Sequence, residues 1–175
     1  MGFMQKIFRW IPVLLAGCLL FGAFLPSVQA KKPFVSQAGK FSAAFPGPPQ
    51  QHQDNEKTFV GNIQVNIFQT KTKRGVFTVE YSQLPDIAVF FGGKKTIYDK
   101  AKRNFLKKTG SREIDFKEVT VSGYPGKELT FTSAKGHPGK ARFILVDHQF
   151  YVVVGESFKG ATVIDPFLNS FSVLP

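Results

Sequence analysis

The sequence predicts an α+β fold built on antiparallel strands, and three observations predict it. Runs of alternating apolar and polar residues, the mark of half-buried strands, lie on both sides of the middle of the chain. Between them, one stretch switches to helical periodicity. Short turns rich in Gly, Pro and Asp join the strand runs, which favours hairpins over parallel crossovers.

Residues 1–30 stand apart from that fold. Lys6 and Arg9 form a positive region, Ile11 to Leu25 is almost continuously apolar, and Pro26-Ser27-Val28-Gln29-Ala30 ends on a small residue before Lys31. This order reads as a secretory signal peptide cut after Ala30, with 31–39 as a lead-in and 40–175 as the folded domain. Leu15-Ala16-Gly17-Cys18 also spells a lipobox, so lipidation at Cys18 is the alternative. Against it, the apolar run continues past Cys18. An uncleaved anchor ranks third, because the run falls short of the ~20 residues of a relaxed membrane span.

Phe41, Ala43 and Phe45 alternate with Ser42 and Ala44 before Pro46-Gly47-Pro48-Pro49, which predicts an edge strand and a stiff turn. Gln50 to Lys57 is polar throughout and reads as a loop. Phe59, Ile63, Val65 and Ile67 then share one parity, while Asn62, Gln64 and Asn66 take the other. Lys71 to Gly75 turns the chain, and Phe77, Val79 and Tyr81 alternate with Thr78, Glu80 and Ser82, predicting a hairpin. Ile87 to Gly93 reads as an apolar loop. From Thr96, Ile97, Ala101 and Phe105 recur every four residues among lysines, giving an amphipathic helix that ends near Gly110.

Ile114 and Phe116 have one parity and Val119 and Val121 the other, which predicts a bulge near Lys117-Glu118. Turns at Gly123 to Gly126, Gly136 to Gly139 and Asp147 to Gln149 delimit a three-stranded meander through Leu129, Phe143 and Tyr151. Asp165-Pro166 carries the N-cap and first-turn proline of a short terminal helix.

Composition narrows the function. Removing residues 1–30 leaves 145 residues, the size of one domain, and removes the sole cysteine. The mature protein then has no disulfide, thiol nucleophile or thiolate metal site. Its interior rests on packing, to which the 16 of the 20 Phe that lie after residue 30 contribute at about 25 cal/mol per Å² of buried apolar area. Without Lys6 and Arg9, 21 of the 23 basic residues face 12 acidic ones, a formal charge of +9. Such a field favours anionic partners. Export argues against nucleic acid and for an acidic protein face, anionic lipid or cell-wall polymer.

Catalytic signals are weak. His52, His137 and His148 fall in predicted loops or turns without an i, i+4 partner, so metal ligation is not expected, although two of them could still meet an acidic side chain in space. Ser122-Gly123 is a turn rather than a nucleophile elbow. Glu113, Asp115 and Glu118 read as solvated charges. Gly92-Gly93-Lys94-Lys95-Thr96 lacks the first glycine of a phosphate loop, and Val76 and Thr78 stand where an RNA-binding strand needs aromatics. No cofactor is expected. A hydrolase joining His137 or His148 to a carboxylate and a hydroxyl is kept as a third reading.

One surface carries a positive hypothesis. Lys94, Lys95, Lys100, Lys102, Arg103, Lys107, Lys108 and Arg112 cluster beside Phe90-Phe91. Such runs ordinarily solvate the outer face of a core-packed helix. The functional reading is electrostatic docking with the Phe pair as an apolar anchor.

Gly39 to Pro46, Gly123-Tyr124-Pro125-Gly126-Lys127-Glu128, Phe150-Tyr151-Val152-Val153 and Phe167-Leu168-Asn169-Ser170-Phe171 together resemble the PsbP-like family, small exported domains related to the extrinsic PsbP proteins of photosystem II. The resemblance spans nearly the whole mature chain, but its motifs are structural. It implies an antiparallel β-sheet flanked by helices, the PsbP-like α/β/α sandwich. It also implies a non-enzymatic role in stabilising or assembling an extracytoplasmic complex, in the periplasm or thylakoid lumen. It carries over no site residue. A monomer with no transmembrane segment after cleavage is expected.

Overall fold

The computed structural model describes residues 32–58 and 61–175, and Lys31–Pro175 forms one compact unit. Ala30, Cys18 and Phe59 lie outside the described residues. The elements are β1 (Phe34–Ser36), β2 (Phe41–Ala43), β3 (Gln50–Thr58), β4 (Gly61–Lys71), β5 (Gly75–Gln83), α1 (Asp86–Thr109), β6 (Arg112–Val121), β7 (Tyr124–Thr132), β8 (Pro138–Val146), β9 (Gln149–Ser157), α2 (Ile164–Ser170) and β10 (Ser172–Val173). A seven-stranded sheet runs β3-β4-β5-β9-β8-β7-β6, and a three-stranded one runs β1-β2-β10. Every pairing is antiparallel. This is the α+β architecture that the strand and helix periods predict.

The large sheet is covered on both faces. On one, Phe68, Phe77, Val79, Ile144, Tyr151 and Val153 pack against α2 and the small sheet through Phe41, Phe167, Leu168 and Phe171. On the other, Leu129, Phe131, Phe143, Leu145 and Phe150 pack against Ile97, Tyr98 and Phe105 of α1. The Tyr98 hydroxyl donates to the Pro125 carbonyl at 2.9 Å and accepts from the Leu145 N–H at 3.2 Å, which pins α1 over β7 and β8. The helix ends where Gly110 takes the left-handed conformation, φ 63°, and returns its N–H to the Leu106 carbonyl.

Several local expectations change, each for a physical reason. Gln50–Thr58 is a strand rather than a loop: it sits at the sheet edge, pairing with β4 alone, so it carries no apolar parity. β2 is the central strand of the small sheet rather than an edge. The stretch 87–92 is helical, and the non-helical Gly93, at φ 60°, ψ 150°, kinks α1. The bulge in β6 falls at Ile114, between Glu113 and Asp115, while pairing is unbroken through Lys117-Glu118. The change of parity there has another origin. Phe116 packs towards α1, whereas Val119 and Val121 pack towards α2, so one strand serves both layers.

Turns shift in the same way. Ser122 and Gly123, both at positive φ, form a two-residue reversal between Val121 and Tyr124, and Tyr124 already belongs to β7. The meander gains a fourth strand, β6, and joins the first hairpin through β5 and β9. α2 begins at Ile164, so Asp165 is a first-turn residue and not the N-cap. His52 lies in β3 rather than in a loop.

Candidate functional site

The predicted basic surface divides into cations with and without partners. Lys102 Nζ reaches Glu113 Oε1 at 2.9 Å and lies 4.4 Å from the Phe116 ring centroid, so it fastens α1 to β6. Lys108 pairs with Glu56 of β3, and Lys100 is half-buried and also engaged. Lys94, Lys95, Arg103, Lys107 and Arg112 are exposed and make no ion pair among the described residues. The side chains of Phe90 and Phe91 lie outside the described residues.

The same geometry creates a feature that the sequence reading missed. α1 rests on β7 and β8, so the face formed by β4, β5 and β9, apolar in β4 and β9, extends beyond its cover. A cleft of about 470 Å³ opens there, walled by Ile63, Val65, Ile97, Phe105, Phe143 and Phe150. Lys57, Lys100, Arg103, Lys107 and Lys108 also line it.

Glu80 lies in the cleft. In β5 it is paired with Ile67 on one side and Val152 on the other, and cross-strand partners share a face. Burial pushes its carboxyl up to about 7; the negative charge of Glu56 acts in the same direction and Lys108 opposes it. For Lys108, burial disfavours the ammonium, yet the hydrogen bond to Glu56 and the nearby Glu80 and Asp54 carboxylates hold its pKa above the ordinary value. Alternation in β5 assigns Thr78, Glu80 and Ser82 to a polar face. That face is in fact turned towards α1, with Thr78 and Ser82 buried.

The histidines give no assembled catalytic group. His137 Nδ1 lies 3.0 Å from Glu156 Oε1, and His148 Nδ1 lies 3.3 Å from Asp86 Oδ1. Two of the three therefore do meet carboxylates. Ser133 Oγ accepts from the main-chain N–H of His137 at 3.2 Å, a contact to the backbone and not to the imidazole ring. Among the described residues, no three His, Cys, Asp or Glu side chains gather as a metal site, and no helix is long and apolar enough to cross a membrane.

No family model matches the chain, and no curated protein matches it in sequence. Among solved structures, it is similar to the solution structure of cyanobacterial PsbP (CyanoP) from Synechocystis. The identity is 11%, the TM-score is 0.57, and the match covers 87% of this chain and 98% of that one. A Pseudomonas aeruginosa protein of unknown function matches with a TM-score of 0.37 at 11% identity, over 61% of this chain and 83% of that one, too weak a likeness to carry an argument. The first similarity establishes a shared fold.

Proposed function

We propose that the chain is an exported, non-enzymatic, PsbP-like accessory module that docks on the acidic surface of an extracytoplasmic membrane complex. The observation that carries this reading is the division of its cations. Lys102 and Lys108 are consumed by internal ion pairs, whereas Lys94, Lys95, Arg103, Lys107 and Arg112 are exposed with no pair among the described residues. Unpaired cations on one helix and the adjoining strand steer an acidic partner and hold it in a salt-dependent way. The leader at 1–30 supplies the route out of the cytosol, to the periplasm or thylakoid lumen, and the formal charge of +9 on the remainder supplies the attraction. If the host is photosynthetic, photosystem II is the complex that the family resemblance points to.

Crosslinking and affinity capture from the native envelope test this. The triple variant Lys94→Glu, Lys95→Glu, Arg112→Glu is expected to lose at least tenfold in retained partner, and the parent to release it in high salt. Retention that ignores both the substitutions and salt would refute docking through this face. Equal retention on protein-free vesicles of anionic lipid would move the partner from protein to envelope surface, the second reading of the same charge.

A further inference from the structure

We propose that the cleft between α1 and strands β4, β5 and β9 binds a monomeric amphipathic anion, its apolar body on Phe105, Phe143 and Phe150 and its anionic head on Arg103 and Lys107. The inference does not depend on the docking reading: it shares Arg103 and Lys107 with that surface, but it concerns a small ligand under the inner edge of α1.

Size and lining support it together. A volume of about 470 Å³ lies within the range of small-molecule sites, and such sites are mainly apolar with a few placed polar groups. Had the space been meant for core packing, α1 would sit over β4 and β5 as it sits over β7 and β8. Instead Ile63, Val65 and Phe150 line an open space. An apolar face of this kind gains by removal from water, at about 25 cal/mol per Å² of area covered.

Charge selects the sign of the head group. Five cations, Lys57, Lys100, Arg103, Lys107 and Lys108, line the cleft against two carboxyls, Glu56 and Glu80. Glu56 is already engaged by Lys108, and burial keeps the Glu80 carboxyl largely neutral below about pH 7. The interior thus presents no free negative charge to repel an anion, while Arg103 and Lys107 remain to receive it. An ammonium head would face the same cations with no unpaired carboxylate to answer it.

Decanoate, decylammonium and decanol, each below its aggregation threshold, titrated into ¹⁵N-labelled protein spanning residues 31–175 at pH 6.5 and followed by amide shifts, test the proposal. Decanoate is expected to shift amides of β4, β5, β9 and the second half of α1, and to bind at least tenfold more tightly than decylammonium. Ala101→Trp, which fills the cleft, should abolish the shifts, and Arg103→Glu with Lys107→Glu should weaken decanoate at least tenfold. The Lys94→Glu, Lys95→Glu, Arg112→Glu variant should bind decanoate as the parent does, which separates this site from docking. Shifts confined elsewhere, decylammonium binding as well as decanoate, or decanoate binding unchanged in the Arg103→Glu, Lys107→Glu variant overturns the proposal. That last arm stands even if Ala101→Trp does not fold.

Discussion

Glu80 and Glu128 are both acids inside the sheet, and their surroundings give them opposite roles. The Glu80 carboxyl ionises near 4.5 in an open chain and near 7 in the fold, so between those values the native state keeps a proton that the unfolded state has released. Unfolding free energy therefore falls as pH rises through that window and levels off above it. Glu80→Gln should remove this slope: thermal unfolding is expected to match the parent near pH 4 and to show a stabilisation of about 2–3 kcal/mol at pH 8. Glu128, by contrast, is 4% exposed and is fully answered. Arg142 Nε donates to its Oε2 at 2.8 Å, and the same guanidinium donates to the Leu168 carbonyl at 2.9 Å and to Asn169 Oδ1 at 2.8 Å. One side chain thus joins β7 and β8 to the C-terminal turn of α2. Glu128→Ala strands the Arg142 charge in the interior, with an expected loss of about 3–5 kcal/mol in denaturant unfolding.

At the level of elements, hairpin β7-β8 shows how packing decides what a residue must be. A Cβ on Gly139 would lie 2.3 Å from the Phe131 ring, its cross-strand partner. Gly139→Ala is therefore expected to displace that ring and lower stability by about 1–3 kcal/mol, visible as a reduced Tm. The strands that were legible in the sequence are those with a regular apolar parity, such as Phe77, Val79 and Tyr81 or Phe143 and Leu145. β3 was illegible because an edge strand of Gln, His, Asp, Asn, Glu and Lys has no face that composition can distinguish from a loop. The start of α1 was illegible because its apolar residues lack the clear four-residue spacing of Ile97, Ala101 and Phe105. The cationic part of the site was readable as a run of lysines and arginines. The cleft was not, because it depends on how far α1 reaches across the sheet, a tertiary quantity with no local sign. Glu80 alone left a trace, as a charged residue on the face of β5 that turned out to point towards α1 and the cleft.

For the molecule as a whole, two predictions concern its covalent make-up. With the cysteine confined to residues 1–30, the folded domain owes nothing to redox state, and reducing agents should leave its unfolding transition unmoved. Intact-mass analysis of protein from the native envelope is expected to give a free N-terminus at Lys31. An acylated Cys18 would instead assign the domain to a membrane tether. The seven-stranded sheet separates the aromatic rings into two interiors, with Phe41, Phe68 and Phe171 on one side and Phe105, Phe131 and Phe143 on the other. A ligand or partner engaging α1 therefore works on one interior only.

β1 and β10 flank β2 from opposite sides, so Ser36 and Val173, both paired with Phe41, lie two strand spacings apart, about 10 Å. β1 and β10 run parallel to each other, so a peptide bridge that closes the domain into a ring must return along the length of the small sheet, and it can do so without disturbing any ladder. The loop could then be reopened at the two-residue reversal of Ser122 and Gly123, and the resulting permutant would begin in the middle of the present chain yet build the same layers. Fusion partners placed at the two ends would leave from opposite ends of the small sheet, in the layer that α1 does not cover.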